Sequence, residues 1–229
     1  MQFVLVFVII VAAIVAIVFG HMAEKKRTET LRALAPSLGL SFWAERDHAF
    51  ERRYGMFGCF TTGNDRYAHN QMHGERRGRA TIACDYHYST TSRDSKGNSR
   101  TQHHYFSAVI VDSGLNLGAL TIREEGFFDR ITEFFGWDDI DFESHEFSRA
   151  FHVSSKNRRL TYDLLHQEAM ELLLESPRFT VEVVGPLVLA WRTSRFEPAE
   201  FVQALDLVNR WLDLVPDDLE DELALVPAP

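Results

Sequence analysis

One stretch restricts the possible folds of this chain more than any other. Residues 3–19, FVLVFVIIVAAIVAIVF, are apolar without interruption, and the cations Lys25, Lys26 and Arg27 follow close behind. As a helix rising 1.5 Å per residue the run covers about 26 Å, slightly less than a hydrocarbon core of ~30 Å. Gly20, His21 and Met22 bring it close to full span. A secretory signal needs a positive region ahead of a shorter apolar stretch and a small-residue cleavage site behind it. Only the α-amine is positive ahead of residue 3, and VFGHMAE offers no such site. Residues 1–22 are therefore expected to form an uncleaved, single-pass transmembrane anchor, a tether for everything that follows. Lys and Arg beside a span tend to stay in the cytoplasm, so the N-terminus is expected outside and the rest of the chain inside. Ala12, Ala16 and Gly20 recur every four residues, a small-residue stripe through which two such helices could pack as a weak homodimer.

Beyond the tether, residues 23–216 suffice for one domain with a sizeable core, and no Pro/Gly/Ser linker divides them. Cys59 and Cys84 are too few for a disulfide framework and are expected to be reduced thiols. Two stretches read as low in structure: the polar segment 89–102, STTSRDSKGNSRTQ, and the acidic tail 217–229, expected to be disordered. Charge is uneven, with a net +5 over residues 24–110 and −14 over residues 111–229. An acidic chain approaching phosphates meets long-range repulsion, so nucleic acid is not an expected partner. The basic half suits an anionic inner leaflet instead. Lys25, Lys26, Arg27, Arg76, Arg77 and Arg79 form the candidate surface for anionic lipid head groups, unless the arginines pair with Glu51, Glu75 and Asp85.

Hydrophobic periodicity supplies the elements. ETLRALAPSLG has helical spacing up to Gly39, with Pro36 expected to kink or shorten it, and LSFW follows as a strand. RATIACDYHYST and HHYFSAVIVDS read as antiparallel strands joined by a long loop, and LGALTIRE as another strand. EEGFFDRITEFFG sets Phe127, Ile131 and Phe134 on one helical face. TYDLLHQEAMELLLESP reads as one amphipathic helix stopped by Pro177. RFTVEVVGPLVLAWRT gives two strands around Gly185 and Pro186, and PAEFVQALDLVNRWLDLVP a helix opened by Pro198. The class is α+β: a tether, then one domain of antiparallel sheet with packed helices.

In this order, LRALAPSLGLSFW, RGRATIACDYHYST, LTIREEG, DIDFESHEFSRAFHV, LLHQEAMELLLE and LVLAWR resemble a family of uncharacterised, membrane-anchored bacterial proteins, mainly actinobacterial. The resemblance spans roughly residues 24–216. It implies the tethered architecture and a place in the bacterial cell membrane, and it brings no catalytic residues or cofactor with it.

Chemistry has to come from the residues themselves. Six of ten histidines, His48, His69, His73, His87, His103 and His104, fall within residues 48–104. On a helix the i,i+4 pair His69 and His73 could grip zinc, with Cys84 or His87 completing a tetrahedral set. The place of a metalloprotease glutamate is taken by Asn70, however, and Gly74 with polar flanks suggests a loop. In DDIDFE, a strand would project Asp139, Asp141 and Glu143 to one side as hard-cation ligands or a solvated face, with Ile140 and Phe142 turned to the core. There is no G-x-S-x-G, P-loop or dinucleotide glycine pattern. His166 borders an apolar stripe and is expected to be a satisfied core histidine, and Cys59 a small buried hydrophobe. The sequence thus favours a non-catalytic, cytosol-facing domain that binds a protein or small ligand. The alternative is a metal-dependent enzyme built from the histidine-rich segment 48–104 or the acidic residues 138–143.

Overall fold

The computed structural model describes residues 2–94, 96–125 and 138–225. The helix expected around Phe127, Ile131 and Phe134 lies outside them. The first element, α1 (Gln2–Leu34), is continuous over 33 residues, through the apolar run and on into the domain. Pro36 then tightens the chain into a 3-10 turn (Ala35–Leu38), closed by Gly39 at φ 75°. The side chains of residues 2, 3, 5, 6, 8–10, 12, 13, 16 and 17 are outside the description, so most of the expected anchor and two members of the Ala12, Ala16 and Gly20 stripe fall there. Among the described residues no helix is long and apolar enough to cross a membrane.

The strands are β1 (Leu40–Trp43), β2 (Asn64–Arg76), β3 (Arg79–Arg93), β4 (Ser99–Asp112), β5 (Ala119–Glu124), β6 (Asp138–Asp139), β7 (Phe151–Ser155), β8 (Thr180–Val184) and β9 (Leu187–Arg192). Among the described residues they make one sheet in the order β1-β2-β3-β4-β9-β8-β5-β7-β6, every pair antiparallel. The remaining helices are α2 (Phe50–Tyr54), α3 (His145–Ala150), α4 (Arg158–Leu164), α5 (Gln167–Glu175), α6 (Pro198–Leu212) and α7 (Asp217–Leu223). The α+β class expected from the sequence is what folds.

Strand alternation gives the sheet two buried faces. Ala83, Val109 and Ala190 look toward Leu31 of α1, Leu172 and Leu173 of α5, and Phe201, Leu205 and Val208 of α6. Their neighbours Cys84, Ile110 and Leu189 look the other way, into a second cluster of Phe50, Phe57, Phe60, Tyr86, Phe106 and Trp191. Cys59 and Cys84 are both buried there and form no disulfide.

Four expectations are corrected. The segment holding His69 and His73 is a strand, β2, where a loop was expected; its cross-strand partners in β1 and β3 outweigh its polar composition. Residues 89–102 are mostly strand, because β3 and β4 stay paired from Ser89–His103 out to Arg93–Ser99. TYDLLHQEAMELLLESP is two helices, since Trp211 Nε1 donates to Leu164 O and His166 bonds Leu214 O, fixing the chain in a non-helical turn between α4 and α5. The acidic tail is helical at α7, where Asp217, Asp218 and Glu220 favour the positive end of the helix and Leu219 and Leu223 pack on the core.

Candidate functional site

The polar centre of the molecule is where α1 meets the sheet. In β2 the register slips between His69 and Met72, and Asn70 takes up the extra residue at φ 47°, a conformation Asn tolerates better than most residues. The bulge turns the Asn70 side chain inward. Its Nδ2 donates to Asp85 Oδ2 (3.0 Å) and its Oδ1 accepts from Thr28 Oγ1 (2.9 Å). Asp85 is fully buried and accepts a fork from Arg27, Nε at 2.8 Å and Nη2 at 2.6 Å, as well as Ser107 Oγ at 2.6 Å. Ser107 Oγ also accepts from the Phe196 amide, which ties in the chain leading to α6. Burial works to raise the pKa of Asp85, but the hydrogen bonds and charge of Arg27 outweigh it and hold the carboxylate below its ordinary range. With every strong acceptor direction filled by the protein, this network is a lock that sets the angle of α1 on the sheet.

Beside the lock, on the same face, lies a histidine–tyrosine surface. His87 pairs with Tyr67 in β2 and Tyr105 in β4, so their rings meet: Tyr67 stacks on His87 at 4.5 Å and Tyr105 lies 4.8 Å from it. His87 Nδ1 is 2.9 Å from Asp65 O, where only a donor can bond, and its Nε2 shares a hydrogen bond with His103 Nδ1 at 3.0 Å. His69 packs edge-on to Tyr67, and its Nδ1 is buried without a hydrogen-bond partner. Burial lowers the pKa of both His69 and His87. Arg46 lies over Tyr67 and Arg195 over Tyr105, with Arg195 also paired to Glu24 of α1.

The four candidate zinc ligands are thereby split. His69 and His87 share the α1 face with Asp85. Cys84 lies on the opposite face among the phenylalanines, its thiol pKa pushed up by burial. The bulge puts His73 out of phase with His69: it pairs with Ile82, which packs on the second cluster, and sits in a cleft with Trp43, Asp47 and Arg53. Among the described residues no three His, Cys, Asp or Glu side chains are placed to hold a metal ion. The acidic segment is also not a continuous strand. β6 ends at Asp139, which bonds His152, and Asp141 and Glu143 follow in irregular, exposed chain while Ile140 is buried.

The candidate membrane-surface cations go to three places. Lys25 and Lys26 are exposed on α1. Arg27 is committed to Asp85. Arg77 and Arg79 bind Asp213 at the end of α6, and Arg76 reaches Leu38 O, all at the far end of α1 from the apolar run. The sequence allowed Asp85 as a partner for one of these arginines, but on a solvated surface; that the pair is Arg27–Asp85 and lies buried in a network with Asn70 and Ser107 was not legible, because an i,i+58 ion pair and a one-residue bulge leave no periodic trace.

Fold and site together define a class: a single antiparallel sheet with a core on each face, borne on a helix that a buried ion pair fixes in place. No family model matches the sequence, and no curated protein matches it significantly. Among solved structures the chain is similar to the mycobacterial trehalose monomycolate transport factor A, TtfA, with a TM-score of 0.61 at 14% identity over 88% of this chain and 98% of that one. At that identity the likeness establishes the fold. It is in keeping with the actinobacterial resemblance seen in the sequence.

Proposed function

We propose that this protein is a tethered, non-catalytic accessory domain at the inner face of a bacterial cell membrane, serving the transport of an amphiphilic envelope lipid by binding a membrane partner. The observation that carries the tether is the continuity of α1. Its C-terminal third is locked to the sheet through Arg27 and Asp85, while the described apolar side chains nearer its start, Val4, Phe7, Ile14 and Phe19 among them, are exposed. A row of exposed aliphatic and aromatic groups on a rigid helix is costly in water and stable in lipid. Lys25 and Lys26 at the boundary favour the domain staying inside. The link to lipid transport rests on the fold shared with TtfA and on the transport role that the name of that protein states. The non-catalytic reading is supported by the lock, whose polar groups bond one another.

The test is cysteine accessibility in the full chain, whose native Cys59 and Cys84 are buried. Gln2→Cys should react with a membrane-impermeant maleimide on intact cells, and Lys96→Cys only after permeabilisation. The reverse pattern would refute the orientation. Recovery of the chain in the soluble fraction would refute the tether. For the transport reading, depletion in the native host should lower the amount of exported envelope lipid, and unchanged export would remove it.

A further inference from the structure

The hairpin of β3 and β4 is longer than the sheet that supports it. β2 accompanies β3 only as far as Ser89, and β9 accompanies β4 only from Ser107 onward, so the outer residues of the hairpin form a bare two-stranded ribbon. Its turn is built by Asp94, whose Oδ1 accepts from the amides of Lys96 and Asn98 and whose Oδ2 accepts from Asn98 Nδ2. Residues 90–102 contain no aliphatic or aromatic side chain, and their charges are Arg93, Lys96 and Arg100 against Asp94 alone. In a chain of net charge −9 this is a concentrated cationic tip, and all three cations are exposed.

Where the tip points follows from three fixed contacts that α1 and the 3-10 turn after it make with the sheet and the chain leaving β9. Leu38 O meets Arg76, Arg27 meets Asp85 and Ser107, and Glu24 meets Arg195 over the Tyr105 ring. Moving toward the N-terminus of α1 therefore means moving up β3 and down β4, toward the turn. From Arg27 to Phe19, where the apolar run ends, is about 12 Å of helix. From Asp85 to Arg93 is about 26 Å of strand. The ribbon is therefore long enough to reach the head-group layer, roughly 5–8 Å deep, at the start of the apolar run even when it leans away from α1.

We propose that this ribbon is a second, electrostatic membrane contact, with Arg93, Lys96 and Arg100 lying on the anionic head groups of the leaflet that α1 enters. The inference rests on the tether proposed above. Lacking apolar side chains, the ribbon lies on the leaflet and does not insert. It takes over the role that the sequence suggested for Arg76, Arg77 and Arg79, which the fold carries to the opposite end, where Arg77 and Arg79 pair with Asp213 and Arg76 bonds Leu38 O.

The full chain is reconstituted in vesicles of neutral phosphatidylcholine or of phosphatidylcholine with phosphatidylglycerol. A fluorophore is placed at Ser92→Cys or, as the far-end control, at Glu75→Cys, and quenching by a head-group spin label is read. Quenching at residue 92 should exceed that at residue 75 by about threefold or more on anionic vesicles, and should fall toward the control value near 0.5 M salt, where screening shortens electrostatic reach to about 4 Å. Arg93→Glu with Lys96→Glu and Arg100→Glu should abolish the excess, and this variant folds if its circular dichroism matches the parent. An inserted chain with equal quenching at both positions, or on both vesicle types, overturns the ribbon contact and leaves the tether standing. A chain that does not float with either vesicle overturns the tether, and the ribbon contact falls with it.

Discussion

At the scale of single residues, the lock around Asp85 concentrates the energetic risk. A buried carboxylate without its guanidinium is far more costly than the pair is beneficial. Arg27→Ala should therefore destabilise the domain by about 3–5 kcal/mol in a urea titration of the full chain in detergent micelles, whereas Arg27→Met combined with Asp85→Leu should cost less than either single change. If the double change cost as much as the sum of the singles, the pair would not be acting as a unit. His69 and His87 provide a pH signature. Burial lowers both pKa values, against the pull of Asp85 and Glu24 on His69 and of Asp65 on His87, and with the push of Arg195, Arg27, Arg46 and His103. In the folded state these imidazoles stay neutral where an unfolded chain, at about 6.5, takes up protons. The unfolded state binds more protons, so stability is full above about pH 6.5 and falls below it, by at most about 1.4 kcal/mol per pH unit for each histidine. Comparing urea midpoints at pH 7.5 and 5.5 should show the loss, and His69→Gln with His87→Gln should flatten it.

At the scale of elements, the strongest periodic segments were legible and the polar ones were not. α6 announces itself by Pro198 at its start and by the spacing of Phe201, Leu205, Val208 and Leu212, and in the structure Glu197 and Glu200 close a capping box. β3, β5, β8 and β9 are rich in β-branched and aromatic residues, and all formed as expected. β2 gave no such signal, because its inward positions include Asn70 and His69, polar groups accepted only because Asp85 and the tyrosine rings meet them there. The start of β2 depends on one backbone position. Gly63 has φ 71°, and a Cβ there would fall 2.4 Å from Ser89 O. Gly63→Ala should lower stability by about 1–3 kcal/mol, from strain in the left-handed region plus displacement of β3. A thermal midpoint within a degree of the parent would show that the turn relaxes freely.

At the scale of the whole molecule, one sheet serves two cores, and β3, β4 and β9 contribute to both through successive residues. Damage on one face should therefore be felt on the other. Phe60→Ala, which removes a fully buried ring from the second cluster, should cost about 3–5 kcal/mol and shift a single unfolding transition seen alike by tryptophan fluorescence and far-ultraviolet circular dichroism. Two separated transitions would show that the faces melt independently. The sequence by itself determined the apolar run and its cationic flank, the α+β class and the amphipathic face of α6, because each is written in neighbouring residues through the periods 3.6 and 2. It also determined that histidines cluster within residues 48–104. Only the tertiary structure decided what that cluster is, since a one-residue bulge at Asn70 sends His69 to one face and His73 to the other, and strand alternation separates Cys84 from His87. It alone decided which cations are held in place: Arg27 by Asp85, Arg77 and Arg79 by Asp213, with Arg93, Lys96 and Arg100 left at the tip of a ribbon. Whether a charge is paired or exposed depends on residues up to 171 positions away, and local pattern carries no information at that separation.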